Sequence, residues 1–172
     1  MAELQEEALW LRAGDDEEAL DDPERRRLFS YWSRVAPAGS APKRQDIDPP
    51  IDLPTFLPTT IIFNVERSED GALAFRYRLV GTKLTEYARR DLRGLTVEEA
   101  FGSEFVARDM EIYRRVVEDC VCYSGARTSM IETRQLFERY KRLVMPILGN
   151  ESGSVDMVWS WMKFCDPPST TD

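Results

Sequence analysis

The sequence predicts an α+β fold: one five-stranded antiparallel sheet, helices on one of its faces and an N-terminal helix covering the other. Three observations carry this. Phe75, Tyr77 and Leu79 alternate with Arg76 and Arg78, the period of a half-buried strand, and Gly81 ends the run before Leu84, Tyr87 and Ala88 follow at helical spacing. Apolar pairs then recur about every 3.5 residues from Phe105/Val106 to Cys120/Val121, which marks one long helix. In residues 143–148 and 155–164, finally, apolar side chains occupy both parities, where a strand with one wet face would alternate. Both sides of these strands must therefore be covered.

The elements follow in order. Residues 1–22 read as an acidic N-terminal tail. Leu4, Ala8 and Leu11 can line a short helix ended by Gly14, but a helix of that length is marginal without a partner, so a mobile arm is expected. Residues 23–58 hold a helix and a Pro-rich connection. Asp22 is a strong N-cap, Pro23 suits the first helical position and Glu24 suits the helix dipole. Leu28, Tyr31, Trp32 and Val35 share one face of that helix and are the expected cover for the sheet, in this chain or across a dimer. After it, Pro42, Pro49, Pro50, Pro54 and Pro58 favour an extended path with a turn at residues 53–57.

Residues 59–166 form the expected globular domain. Strands are read at residues 59–66 and 73–80, joined by a hairpin turn at Ser68-Glu69-Asp70-Gly71. Short helices follow at 82–89 and 96–101, the second opened by a Thr96/Glu99 capping box. The long helix precedes strands at 125–134, 136–148 and 155–164, and residues 167–172 read as a C-terminal tail.

Charge and composition exclude several functions. Of 172 residues, 42% are hydrophobic and 10% aromatic, enough for one core. The first 24 residues hold ten acids and one base; the remainder holds 21 acids and 22 bases. A near-neutral body offers no footprint for nucleic acid, and the acidic tail repels phosphates and anionic lipids. No apolar run approaches a membrane span and the N-terminus lacks the pattern of a signal peptide, so a cytoplasmic protein is expected. Three cysteines make no disulfide scaffold. Histidine is absent, which removes Ser-His-Asp and Cys-His catalysis, His-ligated zinc or haem, and a histidine phosphoacceptor. No nucleophile–base pair is visible, and an enzyme is not expected.

The stretch from about Leu28 to Phe164 resembles a family of small, single-domain bacterial PAS proteins common in alphaproteobacteria. The resemblance lies in Tyr31-Trp32, in Asp46-Ile47-Asp48, in the run from Phe75 to Thr82, in the turn Arg89-Arg90-Asp91-Leu92-Arg93-Gly94, and in the strand from Tyr140 to Pro146 with its internal proline. Arg89 and Arg93 stand where the family has Gly and Thr, and a side chain at residue 89 argues against a positive-φ backbone there. The resemblance implies a sensory or signalling module that binds a small molecule between sheet and helices or a protein partner. It implies a homodimer formed through flanking helices and, with no effector domain in view, action in trans on a separate effector protein. The alternative is a ligand-free dimeric adaptor.

The expected pocket is lined by Phe75, Tyr77 and Leu79, by Tyr87 and Phe101 from the short helices, and by Tyr113 from the long helix. Met130, Leu143, Met145, Trp159 and Trp161 join from the last strands, with the Tyr hydroxyls and Asn64 orienting a guest. The same residues also suit a filled core, and periodicity does not separate the two. The cofactor stays unassigned. The Asn-Cys-Arg-Phe motif of flavin photosensors is absent, and haem would have only Cys or Met as axial ligand. Cys120 and Cys122 would point about 200° apart on a helix, and no metal site is assigned. Arg76, Arg78, Arg89, Arg90, Arg93, Arg139 and Arg142 can form either an anion-binding surface or a solvated face paired with acids. Asp91 reads as a turn cap, with Glu86 beside it.

Overall fold

The structure, a computed structural model, describes residues 8–128 and 139–165. Its centre is one antiparallel sheet of six strands: β1 (Leu9–Leu11), β2 (Thr60–Arg67), β3 (Leu73–Val80), β4 (Cys122–Thr128), β5 (Arg139–Leu148) and β6 (Val155–Cys165). Their spatial order is β1-β4-β5-β6-β2-β3. Five of the strands are those read from the sequence. The sixth corrects it: the expected arm supplies β1, paired with β4 from Leu9↔Ser124 to Leu11↔Cys122. Three residues cannot show a period. What holds them is a sheet edge, together with Trp10, whose ring lies 5.0 Å from that of Tyr123 and 4.0 Å beneath the Arg115 guanidinium.

Helix α1 (Pro23–Val35) starts as its capping residues dictate. The Asp22 carboxylate accepts hydrogen bonds from the backbone of Glu24 and Arg25 at 2.9 and 3.2 Å. It lies across one face of the sheet, so the chain covers itself. Leu28 and Trp32 are fully buried, and Tyr31 and Val35 are half-buried. Phe29 and Arg25, which the sequence reading did not place in this face, are buried with them. Trp32 Nε1 donates to the Pro146 carbonyl at 2.8 Å. Salt bridges flank the helix start: Lys163 to Asp22 (2.8 Å) and Glu24 (2.6 Å), and Lys141 to Asp21 (2.9 Å). The connection that follows is helical rather than extended: α2 (Pro49–Asp52) runs into a 3-10 segment, Pro54–Thr59, whose Phe56 sits 5.8 Å from the Trp161 ring.

The opposite face carries α3 (Thr82–Ala88), α4 (Val97–Phe101) and α5 (Ser103–Asp119). Gly81 opens α3 so close to the chain at 57–58 that a Cβ would lie 2.2 Å from the Leu57 carbonyl oxygen. Arg89 ends α3 at φ 53°, against the expectation for a side-chain-bearing residue at that position. It is exposed, so only backbone sterics oppose the left-handed turn. Residues 94–95 then run along the outer edge of β3, Gly94 donating to the Tyr77 carbonyl and Leu95 accepting from Tyr77, both at 2.9 Å, which shields that edge. The capping box at Thr96 and Glu99 is formed in both directions, at 2.7 and 3.2 Å. Helix α5 ends at Asp119, two residues short of the expected limit. Cys120 is its left-handed cap and Cys122 begins β4, so the two are not on a helix.

Two cores result, one per sheet face. On the α1 side Trp32, Trp159, Trp161, Leu143 and Met145 meet; on the α3–α5 side Phe63, Phe75, Val144, Val158 and the inward face of α5 meet.

Candidate functional site

Between α3–α5 and the sheet lies a cavity of about 360 Å³. Its floor comes from one parity of the strands: Ile61, Tyr77, Tyr140, Arg142, Met162 and Phe164. Its roof is Leu84, Tyr87 and Ala88 of α3, with Leu92, Val97 and Phe101. The α5 wall is Phe105, Val106, Asp109 and Tyr113. Phe105, at its edge, is 60% exposed. The space is within the range of small-molecule sites and is mostly apolar, as such sites are.

Among the described residues, two charges interrupt the apolar lining. The Arg142 side chain is only 2% exposed, and its Nη1 donates to Asp109 Oδ1 at 2.7 Å. Burial disfavours the guanidinium charge, but the Asp109 carboxylate outweighs that and raises the Arg142 pKa. The guanidinium also faces the Tyr123 ring at 5.2 Å. Its Nε is buried without a hydrogen-bond partner among the described residues. Tyr77 and Tyr113 have their pKa raised by burial and then by Asp109, so both keep their protons at neutral pH.

The residues expected in the pocket divide sharply. Tyr77, Tyr87, Phe101 and Tyr113 line the cavity. Phe75 lies on the same face, fully buried beneath it in an aromatic group with Phe63, Tyr77 and Tyr113 whose ring centroids are 4.8 to 6.4 Å apart. Leu143, Met145, Trp159 and Trp161 are corrected: they belong to the α1 face. With both parities apolar, period alone does not say which set faces which layer, and a slip of one residue exchanges them. Leu79 also packs on the α1 face, because a bulge makes Ile62 pair with Leu79 and Phe63 with Tyr77, leaving Arg78 extra. Asn64 is half-buried and alternates with Phe63 and Val65, so it too leaves the cavity. Met130 lies outside the described residues.

Sequence reasoning missed Arg142, Asp109 and Tyr140 as cavity residues. The signal for Asp109 was present: with Val106 and Tyr113 it shares one face of α5, an acid on an otherwise apolar stripe. The arginines do not assemble into one surface. Arg76 bonds Glu66 at 2.6 Å and Arg93 bonds Asp91 at 2.6 Å, Arg90 bonds the Ala100 carbonyl, and Arg142 is inside. The Arg139 side chain lies outside the described residues. Asp91 caps its turn as expected, accepting from Arg93 N at 3.0 Å, and its bonds to Arg93 lower its pKa to about 2. Among the described residues no cluster of potential ligands could hold a metal ion, and no helix is long and apolar enough to cross a membrane.

Comparison with curated proteins and with solved structures returns no match. The family model described as PAS domain matches residues 20–158, a span that takes in α1, most of both cores and every wall of the cavity but the end of β6. An antiparallel sheet with helices on one face agrees with it. The chain belongs to the PAS-domain family, a family of sensory, signalling and interaction modules.

Proposed function

We propose that this PAS domain senses a small molecule bound in the cavity under α3–α5 and passes its state to a partner protein by contact. The observation that carries the reading is the cavity itself, about 360 Å³ of mostly apolar space with the buried Arg142 paired to a partly buried Asp109 in its wall. In this reading the protein is not an enzyme, is cytoplasmic, works as a homodimer and acts on a separate effector. The helix α1 suits an output layer. It grips β5 and β6 from behind through Trp32, Lys141 and Lys163, and Arg142 projects from the same strand β5 on the cavity side.

Native mass spectrometry of the purified protein, with thermal melts against a metabolite panel, tests this. The expected result is a bound small molecule, or a melt raised in proportion to RT ln(1 + [L]/Kd), that is lost when Ala88→Trp narrows the cavity. A bare mass together with unmoved melts throughout the panel would overturn ligand sensing. If such a protein still self-associates, the ligand-free adaptor becomes the better description.

A further inference from the structure

Resting on that cavity reading, we infer that the guest is an anionic amphiphile: an apolar body lies under α3–α5, and an acid head such as a carboxylate stays at the mouth beside Arg90. The lining is graded. Ile61, Tyr77 and Tyr113 are buried, Tyr87 and Phe101 are half-buried, and Phe105 is exposed, so the cavity has a dry inner end and an outer end open to water. An apolar body gains most at the inner end, where it leaves water entirely. A charged group placed there would lose its hydration, whereas at the mouth it keeps most of it. The outer end also has a sign. Arg90 is exposed, and its guanidinium covers the Phe101 ring at 5.6 Å from the centroid. Its Nη2 donates to the Ala100 carbonyl near the end of α4, which holds the side chain against the roof. Arg76 and Arg93 are paired with Glu66 and Asp91, but Arg90 has no carboxylate partner among the described residues. Its charge reaches the cavity: burial, Asp109 and Tyr140 raise the Tyr77 pKa, and Arg90 opposes them. The guanidinium keeps donors in a planar fork that suits the two oxygens of a carboxylate. The other guanidinium of the wall, Arg142, is buried and bonded to Asp109 at 2.7 Å, so an acid head turned inward would compete with a carboxylate already in place.

The test is a matched series on one ring: naphthylacetate, naphthylethanol and naphthylethylamine, titrated by calorimetry at neutral pH into the full chain. The acid is expected to bind about 5-fold more tightly than the alcohol, and the ammonium most weakly, with the gaps narrowing at high salt because the head is exposed. Arg90→Gln should bring the acid down to the level of the alcohol. Arg90→Lys, which keeps the charge but not the fork, should retain part of the preference. A merely structural role for Arg90, through its bond to Ala100, would weaken all three ligands together and leave their order alone, which would overturn the inference. So would an alcohol that binds the wild-type protein as tightly as the acid does, or an acid preference that survives Arg90→Gln. If Arg90→Gln fails to fold, the wild-type order and its salt dependence still decide. Absence of binding by all three overturns the inference, and the cavity reading falls with it only if the metabolite panel also leaves the melt unmoved.

Discussion

Trp32 is where the N-terminal helix becomes part of the fold rather than an attachment to it. Its side chain is fully buried, its ring stacks on Phe29 at 5.9 Å between centroids, and its indole N–H satisfies the carbonyl of the buried Pro146 at 2.8 Å. Trp32→Phe keeps an aromatic ring but removes the donor, leaving a buried carbonyl unpaired at a cost of about 1–3 kcal/mol. For a chain of this size about 2 kcal/mol corresponds to a fall in Tm of roughly 4–8 °C. Trp32→Ala adds a cavity worth about 3–5 kcal/mol, a total of roughly 5–7 kcal/mol, which matches the whole stability of many domains. Urea unfolding followed by tryptophan fluorescence measures both, because Trp159 and Trp161 lie in the same core and report its exposure. The phenylalanine variant should unfold in one transition at lower urea. The alanine variant should bind a dye for exposed apolar surface even without denaturant. If Trp32→Phe stays within about 0.5 kcal/mol of wild type and Trp32→Ala keeps a cooperative melt, the claim that α1 closes the second core is wrong.

Two further outcomes follow from local geometry. Arg89 is exposed in the left-handed region at φ 53°, so Arg89→Gly should stabilise the protein by about 0.5–1 kcal/mol after the extra freedom of the unfolded chain is counted, and an unchanged or lowered Tm would contradict this. Burial alone would raise the Asp21 and Asp22 carboxyls, but Lys141 and Arg25 at the first, and Lys163 with backbone N–H groups at the second, hold both below the ordinary 3.8. A depressed folded-state pKa gives stability that is present above the unfolded value and lost as pH falls through the folded one, so the urea midpoint should drop from pH 5 towards pH 3. Lys163→Met removes the partner of Asp22 and should flatten that drop; equal slopes in the two proteins would show that the salt bridge contributes nothing.

The fold was legible where the sequence carries a period or a cap. The alternation from Phe75 to Tyr77, the apolar stripe of α5, Asp22-Pro23 and the Thr96/Glu99 box all report local geometry, and each forms as read. The site was legible only where a residue's face was fixed. Tyr87, Phe101 and Tyr113 sit on helices whose inward stripe is unambiguous, and they reach the cavity. On β5 and β6 the face depends on register against two layers, and the assumption that the largest rings mark the pocket sent Trp159 and Trp161 to the wrong side. Leu79 was misplaced by a bulge, a feature of pairing that the strand's own sequence does not announce. The strand β1 was hidden for a third reason: its three residues gain their structure from β4 and from the Trp10–Arg115 contact, both distant in sequence.

The contrast between the two faces also explains why the open space is where it is. Protein interiors are close-packed, so a void of this size needs walls that resist collapse. Against α1, the sheet presents Leu143, Met145, Trp159 and Trp161, and Trp32, Phe29 and Phe56 fill the gaps between them. On the other face the strands present rings too, among them Phe63, Phe75, Tyr77 and Phe164, beside the smaller Ile61, Val144 and Val158, but no long aromatic-bearing helix is laid directly on all of them. The roof there is made of helices seven and five residues long, in which only Leu84, Val97 and Ala100 are buried. Helices this short do not hold themselves, and here the connection between them is bonded to β3 at residues 94–95, a capping box opens the second, and these three side chains add the burial. The Arg142–Asp109 pair completes the frame. It ties β5 to α5 through two side chains of set length, and collapse of the roof onto it would further bury a charged pair without adding a hydrogen bond. The cavity is therefore a consequence of how the sheet is covered: bulky rings press directly on one face, while short, externally anchored helices and a propping ion pair stand over the other.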